Sequence, residues 1–322
     1  MLKILDITLP FFALVLCGYL AARQRLLPLD AISGLNGFVL FFALPCMLYR
    51  FGANTPIAQL LDVSVALTWL LCGLAMVGVT VATSLNTRIG WNDAAFGALV
   101  AAFPNSGFMG VPLLVALLGA TVAGPTILTM VIDMVVISSL CIALSRLDGA
   151  DQHGAAKALQ KALKGVLTNP MPWAILLGAL GSVLGLALPA PVLQVVGMLA
   201  DAASPVALFT IGAVLARSQI MAAAGHAVAP LLRDYLPVAL FKLFLHPLLV
   251  WLVGRLLIGL GLPLSSSALT VVVLVAALPS ASNVSLLAER FGADNGRVAR
   301  IILVTTAAAF VTFSMAAGIF IV

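Results

Sequence analysis

AAFPNSGF (101–108) and AALPSASN (276–283) put proline in the middle of an apolar run, with asparagine and serine behind it. Proline has no backbone N–H and clashes with the preceding helical turn, so it frees carbonyl and amide groups. If these runs lie in a membrane, the freed groups cannot face lipid, where each unsatisfied one costs several kcal/mol. They persist where they meet protein, a water-filled cavity or a ligand. Asn105, Ser106 and Gly107 follow Pro104; Ser280, Ser282 and Asn283 follow Pro279. Asparagine and serine are good N-caps for a half-helix that resumes after a break. They can also hydrogen-bond a ligand directly. A half-helix N-terminus carries about half a positive charge in effect, which favours an anion such as a carboxylate. The opposing C-terminal ends could instead hold a cation.

A second set of residues could carry charge or protons. Asp133 lies mid-run in TILTMVIDMVVISS, and an acid at that depth is a functional candidate by default. It could carry a proton, or be a structural acid bonded to a neighbouring helix. Lys242 and His246 in FKLFLHP are four apart, on one helical face. Lys242 could pair with Asp133, meet the anion, or snorkel to the surface; His246 reads more simply as a satisfied interior histidine. Asp201 precedes Pro205 by four residues and could cap a break there or meet substrate near Ser204. Asp62 opens an apolar run near a surface and is a weaker ion-coupling candidate. Asp133, Asp201, Lys242, His246 and Asp62 are the expected ion-coupling set, with H+ or Na+ as the ion and no cofactor.

The elements that must position these residues are helices. The chain has 322 residues, 63% of them hydrophobic and only 8% charged, too few charges to cover a soluble domain. About ten apolar runs consume nearly all of it: 5–22, 33–50, 62–85, 93–118, 121–145, 171–188, 192–216, 230–258, 265–288 and 298–321. The first lacks a convincing cleavage site and is read as a retained helix. Cys17, Cys46, Cys72 and Cys141 all fall in apolar runs without metal-ligand spacing and read as small core hydrophobes. The net charge of +5 is not pooled in one patch, so no nucleic acid is expected.

Twelve of the sixteen lysines and arginines fall in alternate loops, a positive-inside bias that makes those loops cytoplasmic and puts both termini outside. The longest polar stretch, 147–169, divides the chain into 1–146 and 170–322, five runs each. Within it Lys157, Lys161 and Lys164 share one helical face, which fits an amphipathic helix on the cytoplasmic leaflet or a solvated linker. An odd number of runs per half means that the halves insert in opposite orientations. The halves also share punctuation. FFALPCMLY and DAASPVALF carry Pro45 and Pro205 in the second run of each half, and Pro104 and Pro279 stand in the fourth. Interrupted segments in corresponding places point to the binding site of a secondary transporter. The expected fold is therefore an all-α integral membrane protein. It has ten transmembrane helices as a 5+5 inverted repeat, with two proline-broken helices crossing near the midplane. Pro45, Ser204 and Pro205 join Pro104, Asn105, Ser106, Gly107, Pro279, Ser280, Ser282 and Asn283 as candidate substrate contacts.

FVLFFALPCMLYRF (38–51), FPNSGFMGVPLL (103–114), FKLFLHPLLVW (241–251) and ALPSASNVSLLAERFGAD (277–294) occur in an order that resembles the auxin efflux carrier family, including its bacterial malonate-transporter-like members. The resemblance implies a scaffold domain from helices 1, 2, 6 and 7 and a moving domain from helices 3–5 and 8–10. It also implies a fold like that of bile-acid and sodium/proton transporters. Elevator-type alternating access, a homodimer through the scaffold, and a bacterial inner-membrane location are further implications. Plant members have a long cytoplasmic insertion where 147–169 is short here. The expected function is secondary transport of a small organic anion. An anion channel or facilitator is the alternative. An intramembrane enzyme is less favoured, because HExxH and GxSxG are absent and the three histidines are scattered.

Overall fold

A computed structural model describes residues 2–56, 61–147, 160, 170–186, 188–223 and 231–321. Lys157, Lys161 and Lys164 of the expected amphipathic helix lie outside the described residues. The described chain is helical throughout. In order, its α-helices are α1 (Leu2–Arg23), α2 (Ala31–Phe38), α3 (Leu44–Asn54), α4 (Val63–Ser84), α5 (Trp91–Ala102), α6 (Val111–Leu118), α7 (Ala123–Ile132), α8 (Ser138–Leu144), α9 (Pro170–Leu184), α10 (Ala190–Ala223), α11 (Leu232–Leu240), α12 (His246–Gly259), α13 (Ser266–Ala277), α14 (Asn283–Arg290) and α15 (Asn295–Ile321). Among the described residues, seven continuous helical stretches are long and apolar enough to cross a membrane, several of them spanning two of these helices. The sixth expected run is the shorter α9, and the fourth and ninth are each split in two.

Among the described residues, four π-helical turns join consecutive helices: Val39–Ala43, Ser106–Gly110, Asp133–Ile137 and Phe241–Leu245. Three are followed within two residues by proline, namely Pro45, Pro112 and Pro247. A widened turn gives room to a ring that would otherwise strike the carbonyl four residues back. The fourth is followed by Ser138, whose hydroxyl donates to the Asp133 carbonyl at 2.8 Å. Pro45 therefore sits in the first turn of α3 and interrupts nothing. Pro205 lies inside the uninterrupted α10. The expectation that Pro45 and Pro205 mark breaks is corrected on this point. One missing N–H kinks a helix, but ending it requires other partners for the freed groups.

Such partners exist at Pro104 and Pro279. The residues before them, Phe103 (φ −100°, ψ 101°) and Leu278 (φ −63°, ψ 155°), are extended, as proline demands of its predecessor. The two breaks then pair as a one-residue antiparallel bridge, Pro104 with Ser280. Asn105 N–H donates to Pro279 O at 2.8 Å, and Ala281 N–H donates to Phe103 O at 2.9 Å. The half-helices that lead in are fully enclosed: Ala94 through Ala102 of α5 and Val271 through Ala277 of α13 are all buried.

Around this centre the helices pack in two groups. In one, α1 crosses α10, and α3 lies against α9 and α10. A Cβ on Gly18 would fall on the Phe209 carbonyl oxygen, and one on Gly212 would fall on that of Val15. Gly52 and Gly178 meet the backbone of Ile175 and Tyr49 in the same way. Small residues at crossings let helix backbones approach within lipid. Gly18 and Gly178, Pro45 and Pro205, and Gly52 and Gly212 are each separated by 160 positions. In the other group α4 packs on α5, α7 and α12, α5 on α8, α12 on α13, and α15 on α11 and α13. One end of this group is tied by Arg297, which is buried. Its Nε donates to Asp234 O at 2.6 Å, Nη1 to Asp93 O at 2.7 Å and Nη2 to Ser84 Oγ at 3.3 Å. Gly97 makes room for that guanidinium. The groups meet where Thr8 Oγ1 of α1 lies 3.3 Å from Ser314 Oγ of α15, beside the edge-to-face rings of Phe12 and Phe310.

Candidate functional site

The bridge of the two breaks flanks a cavity of about 20 Å³, room for roughly one water. Pro104, Asn105, Ser106, Gly107 and Asn283 line it, together with Leu44, Phe103, Phe108, Ala281 and three methionines, Met130, Met134 and Met171. Pro45, Ser204, Pro205, Pro279, Ser280 and Ser282 do not, although Pro279, Ser280 and Ser282 belong to the same break. Leu44, beside Pro45, is the contribution of α3.

The half-helices after the breaks start here, so their first-turn amides point toward the crossing. The expected caps are not made. Asn105, before the π turn, and Ser282, before α14, form no side-chain cap bond. Asn105 O instead accepts from Met109 N–H at 3.2 Å and from Gly110 N–H at 2.9 Å, the ordinary bonds that close the widened turn. Two side-chain atoms are left over. Ser280 Oγ and Asn283 Oδ1 are buried without a hydrogen-bond partner. Buried polar atoms normally find partners, so each such atom asks for a water or a ligand. The lining carries no charged side chain. An anion here would be held by amides and helix dipoles rather than by an arginine clamp.

A second polar centre lies within the second helix group. Asp133, Lys242 and His246 are fully buried, as is Trp69 of α4. Trp69 Nε1 donates to Asp133 Oδ1 at 2.8 Å, and its indole lies 5.2 Å from the His246 ring, centroid to centroid. Lys242 Nζ lies 3.0 Å from His246 Nδ1 and donates to Ala276 O at 2.8 Å. It neither snorkels nor bonds Asp133 directly. His246 is only half satisfied, since Nε2 has no partner, and neither has Asp133 Oδ2. Trp69 was not singled out from sequence. The available signal was an indole N–H in mid-membrane, which needs an acceptor when buried.

The other two acids have plainer places. Asp62 is the N-cap of α4, accepting from Ser64 N–H at 2.9 Å and Val65 N–H at 3.1 Å. Asp201 caps no break, because α10 has none there; it is exposed and pairs with Arg50 Nη1 of α3 at 2.6 Å. No group of three or more metal-ligating side chains occurs among the described residues.

A family model described as "Membrane transport protein" matches residues 4–316. A protein of Rhizobium meliloti (strain 1021) named "Putative malonate transporter" is 28% identical over 310 residues, covering 95% of this chain and 92% of that protein. An Escherichia coli (strain K12) protein named "Uncharacterized transporter YfdV" is 27% identical over 290 residues, covering 88% and 87%. The match over almost the whole length makes the chain a member of the membrane transport protein family, the auxin efflux carrier group that its motifs resemble, and thus a multi-pass membrane transporter rather than an enzyme.

Proposed function

We propose that the protein is a secondary active transporter that carries a small organic carboxylate through the crossing of its two broken helices, driven by an H+ or Na+ gradient. The observation that carries this reading is the pairing of the breaks at Pro104 and Ser280, with Ser280 Oγ and Asn283 Oδ1 left unpartnered beside it. Asn105 and Asn283 contact the carboxylate; Asp133, Lys242 and His246 handle the coupling ion. A cavity of about 20 Å³ is too small for such an anion, so loading requires the lining from α3 and α9 to move away from the crossing. That favours an elevator, in which the helices around the crossing slide against α1, α3, α9 and α10 as scaffold. The packing of helices into those two groups supports the division. The 160-residue spacing of the glycine crossings supports a 5+5 inverted repeat. The charge bias supports termini outside and 147–169 in the cytoplasm, at a bacterial inner membrane. A homodimer forms through the scaffold.

A thermal-shift screen of small carboxylates, beginning with malonate because a relative's name carries it, tests the site. One or more carboxylates should stabilise the protein, and Asn105→Ala and Asn283→Ala should remove the shift. A shift retained in both variants would overturn the crossing as the binding site. Counterflow in liposomes separates a carrier from a channel.

A further inference from the structure

The break at Pro279 frees a carbonyl that the rest of the molecule uses. In an unbroken helix Ala276 O would accept from the N–H of Ser280, four residues on. That N–H goes instead to Thr305 Oγ1 at 3.3 Å. Lys242 Nζ takes the freed carbonyl at 2.8 Å, placing an amine at the C-terminal end of α13, where a cation is favoured. The same Nζ reaches His246 Nδ1. With Lys242 as donor, His246 is neutral and its proton is on Nε2, the atom without a partner. Asp133 has one oxygen held by Trp69 and the other, Oδ2, empty and fully buried. Trp69 joins the two halves of the group: its Nε1 bonds Asp133 and its ring packs on His246, which Lys242 contacts. The other titratable side chains on the helices packed around them are the buried thiols Cys72 of α4 and Cys141 of α8, Asp93 of α5, Arg233, Asp234 and Tyr235 of α11, Arg255 of α12, and Arg297 and Arg300 of α15; Arg297 bonds the backbone of Asp93 and Asp234. Residues of three separate helical segments thus converge, and two buried polar atoms in the group lack partners.

We propose that Asp133, Trp69, His246 and Lys242 form a proton-exchange site, with Asp133 Oδ2 as the atom that gains and loses the proton, and that Lys242 transmits its state to the crossing through Ala276 O. This deepens the carboxylate-transport reading and rests on it for the proton's purpose. The step balances simply. With Asp133 as carboxylate and Lys242 as ammonium the unit is neutral. One proton added at Oδ2 gives a carboxylic acid beside the ammonium, a net charge of plus one. A monoanion in the crossing and a protonated unit together carry no net charge, so the loaded helices cross without moving charge through the membrane field. Loss of the proton leaves the empty carrier neutral as well. Sodium is disfavoured at this site, because Lys242 Nζ already occupies the freed Ala276 carbonyl that a sodium ion would need.

The test needs no substrate. Trp91, Trp173 and Trp251 are replaced by phenylalanine, so that Trp69 alone reports by fluorescence in lipid nanodiscs. Its emission should shift as pH is varied and stay fixed when sodium is added at constant pH. Asp133→Asn should abolish the shift, and Lys242→Gln or His246→Gln should move its midpoint. Emission that ignores pH, or a shift that survives in Asp133→Asn, overturns the proton site; a response to sodium at fixed pH replaces it with a cation site. The link is read by hydrogen exchange of peptides covering 277–284, corrected for intrinsic rates. Their protection should differ between the two protonation states in the parent and be equal in Lys242→Gln; equal protection in the parent overturns the link. Chromatographic homogeneity of each variant excludes misfolding. Should the carboxylate screen fail while Trp69 titrates, the substrate reading falls and the proton site stands.

Discussion

Asn105 and Pro279, 174 positions apart in the chain, share a backbone hydrogen bond of 2.8 Å, and Ala281 returns one to Phe103 at 2.9 Å. Each broken helix therefore supplies what the other lacks. Neither break would be tolerated alone in lipid, because its freed groups would have no partner.

That reciprocity predicts how the prolines behave. Pro104→Ala and Pro279→Ala remove the ring that holds the preceding residue extended, and lift a bar of about 3 kcal/mol against continuing the helix through the break. They also loosen two bridge bonds of about 1 kcal/mol each. Melting temperature should shift by only a few degrees, roughly the response to about 1 kcal/mol. Carboxylate-induced stabilisation should disappear. Undiminished stabilisation in both variants would mean that the broken geometry is not what binds.

The glycine crossings are less forgiving. Gly18→Leu or Gly212→Leu puts side-chain carbon onto a backbone carbonyl of the facing helix, so α1 and α10 must separate, at a cost of about 1–3 kcal/mol or more. Gly78 of α4 has open space around its Cβ position. Gly78→Ala should be neutral or stabilising by about 0.5–1 kcal/mol, since glycine weakens a helix by that much. Thermal denaturation of the three variants in one detergent ranks them; a Gly18→Leu protein as stable as Gly78→Ala would refute the close crossing.

Sliding between the two helix groups can be stopped at one point. In a background with the native cysteines replaced, Thr8→Cys and Ser314→Cys face each other across α1 and α15, whose hydroxyls lie 3.3 Å apart. Oxidation should cross-link them, and counterflow should fall to background and return on reduction. Full transport by a protein shown to be cross-linked would exclude relative motion of these helices.

Arg297 holds its end of the bundle by directed bonds rather than charge alone. Lysine keeps the charge but cannot span Asp234 O, Asp93 O and Ser84 Oγ together. Arg297→Lys should lose about 1.5–3 kcal/mol, the scale of a charged hydrogen bond left unmade. Its carboxylate-induced thermal shift should persist, because Arg297 does not line the crossing cavity. A melting temperature equal to the parent's would show that the guanidinium fork is dispensable.

The apolar runs, the breaks at Pro104 and Pro279 and the buried acid Asp133 were legible from composition and local rules. Hydropathy, proline's missing N–H and the cost of a carboxylate in lipid act on a few neighbouring residues. Pro45 and Pro205 gave the same local signal and carry no break. A proline ends a helix only where distant backbone accepts the freed groups, as Phe103 and Pro279 do. Asp201 read as a cap because Pro205 lies four residues on; its partner is Arg50, 151 positions away. Asn105 and Ser282 read as side-chain caps, yet neither makes a cap bond. Trp69 offered only an indole N–H in need of an acceptor; that the acceptor is Asp133, 64 positions away, was visible only in the fold. What the sequence determined by itself was where the chain is apolar and where its helices are liable to break. Tertiary structure alone decided which liabilities became a site, because a freed carbonyl or a buried amine is stable only against a specific partner, and those partners come from segments remote in the chain.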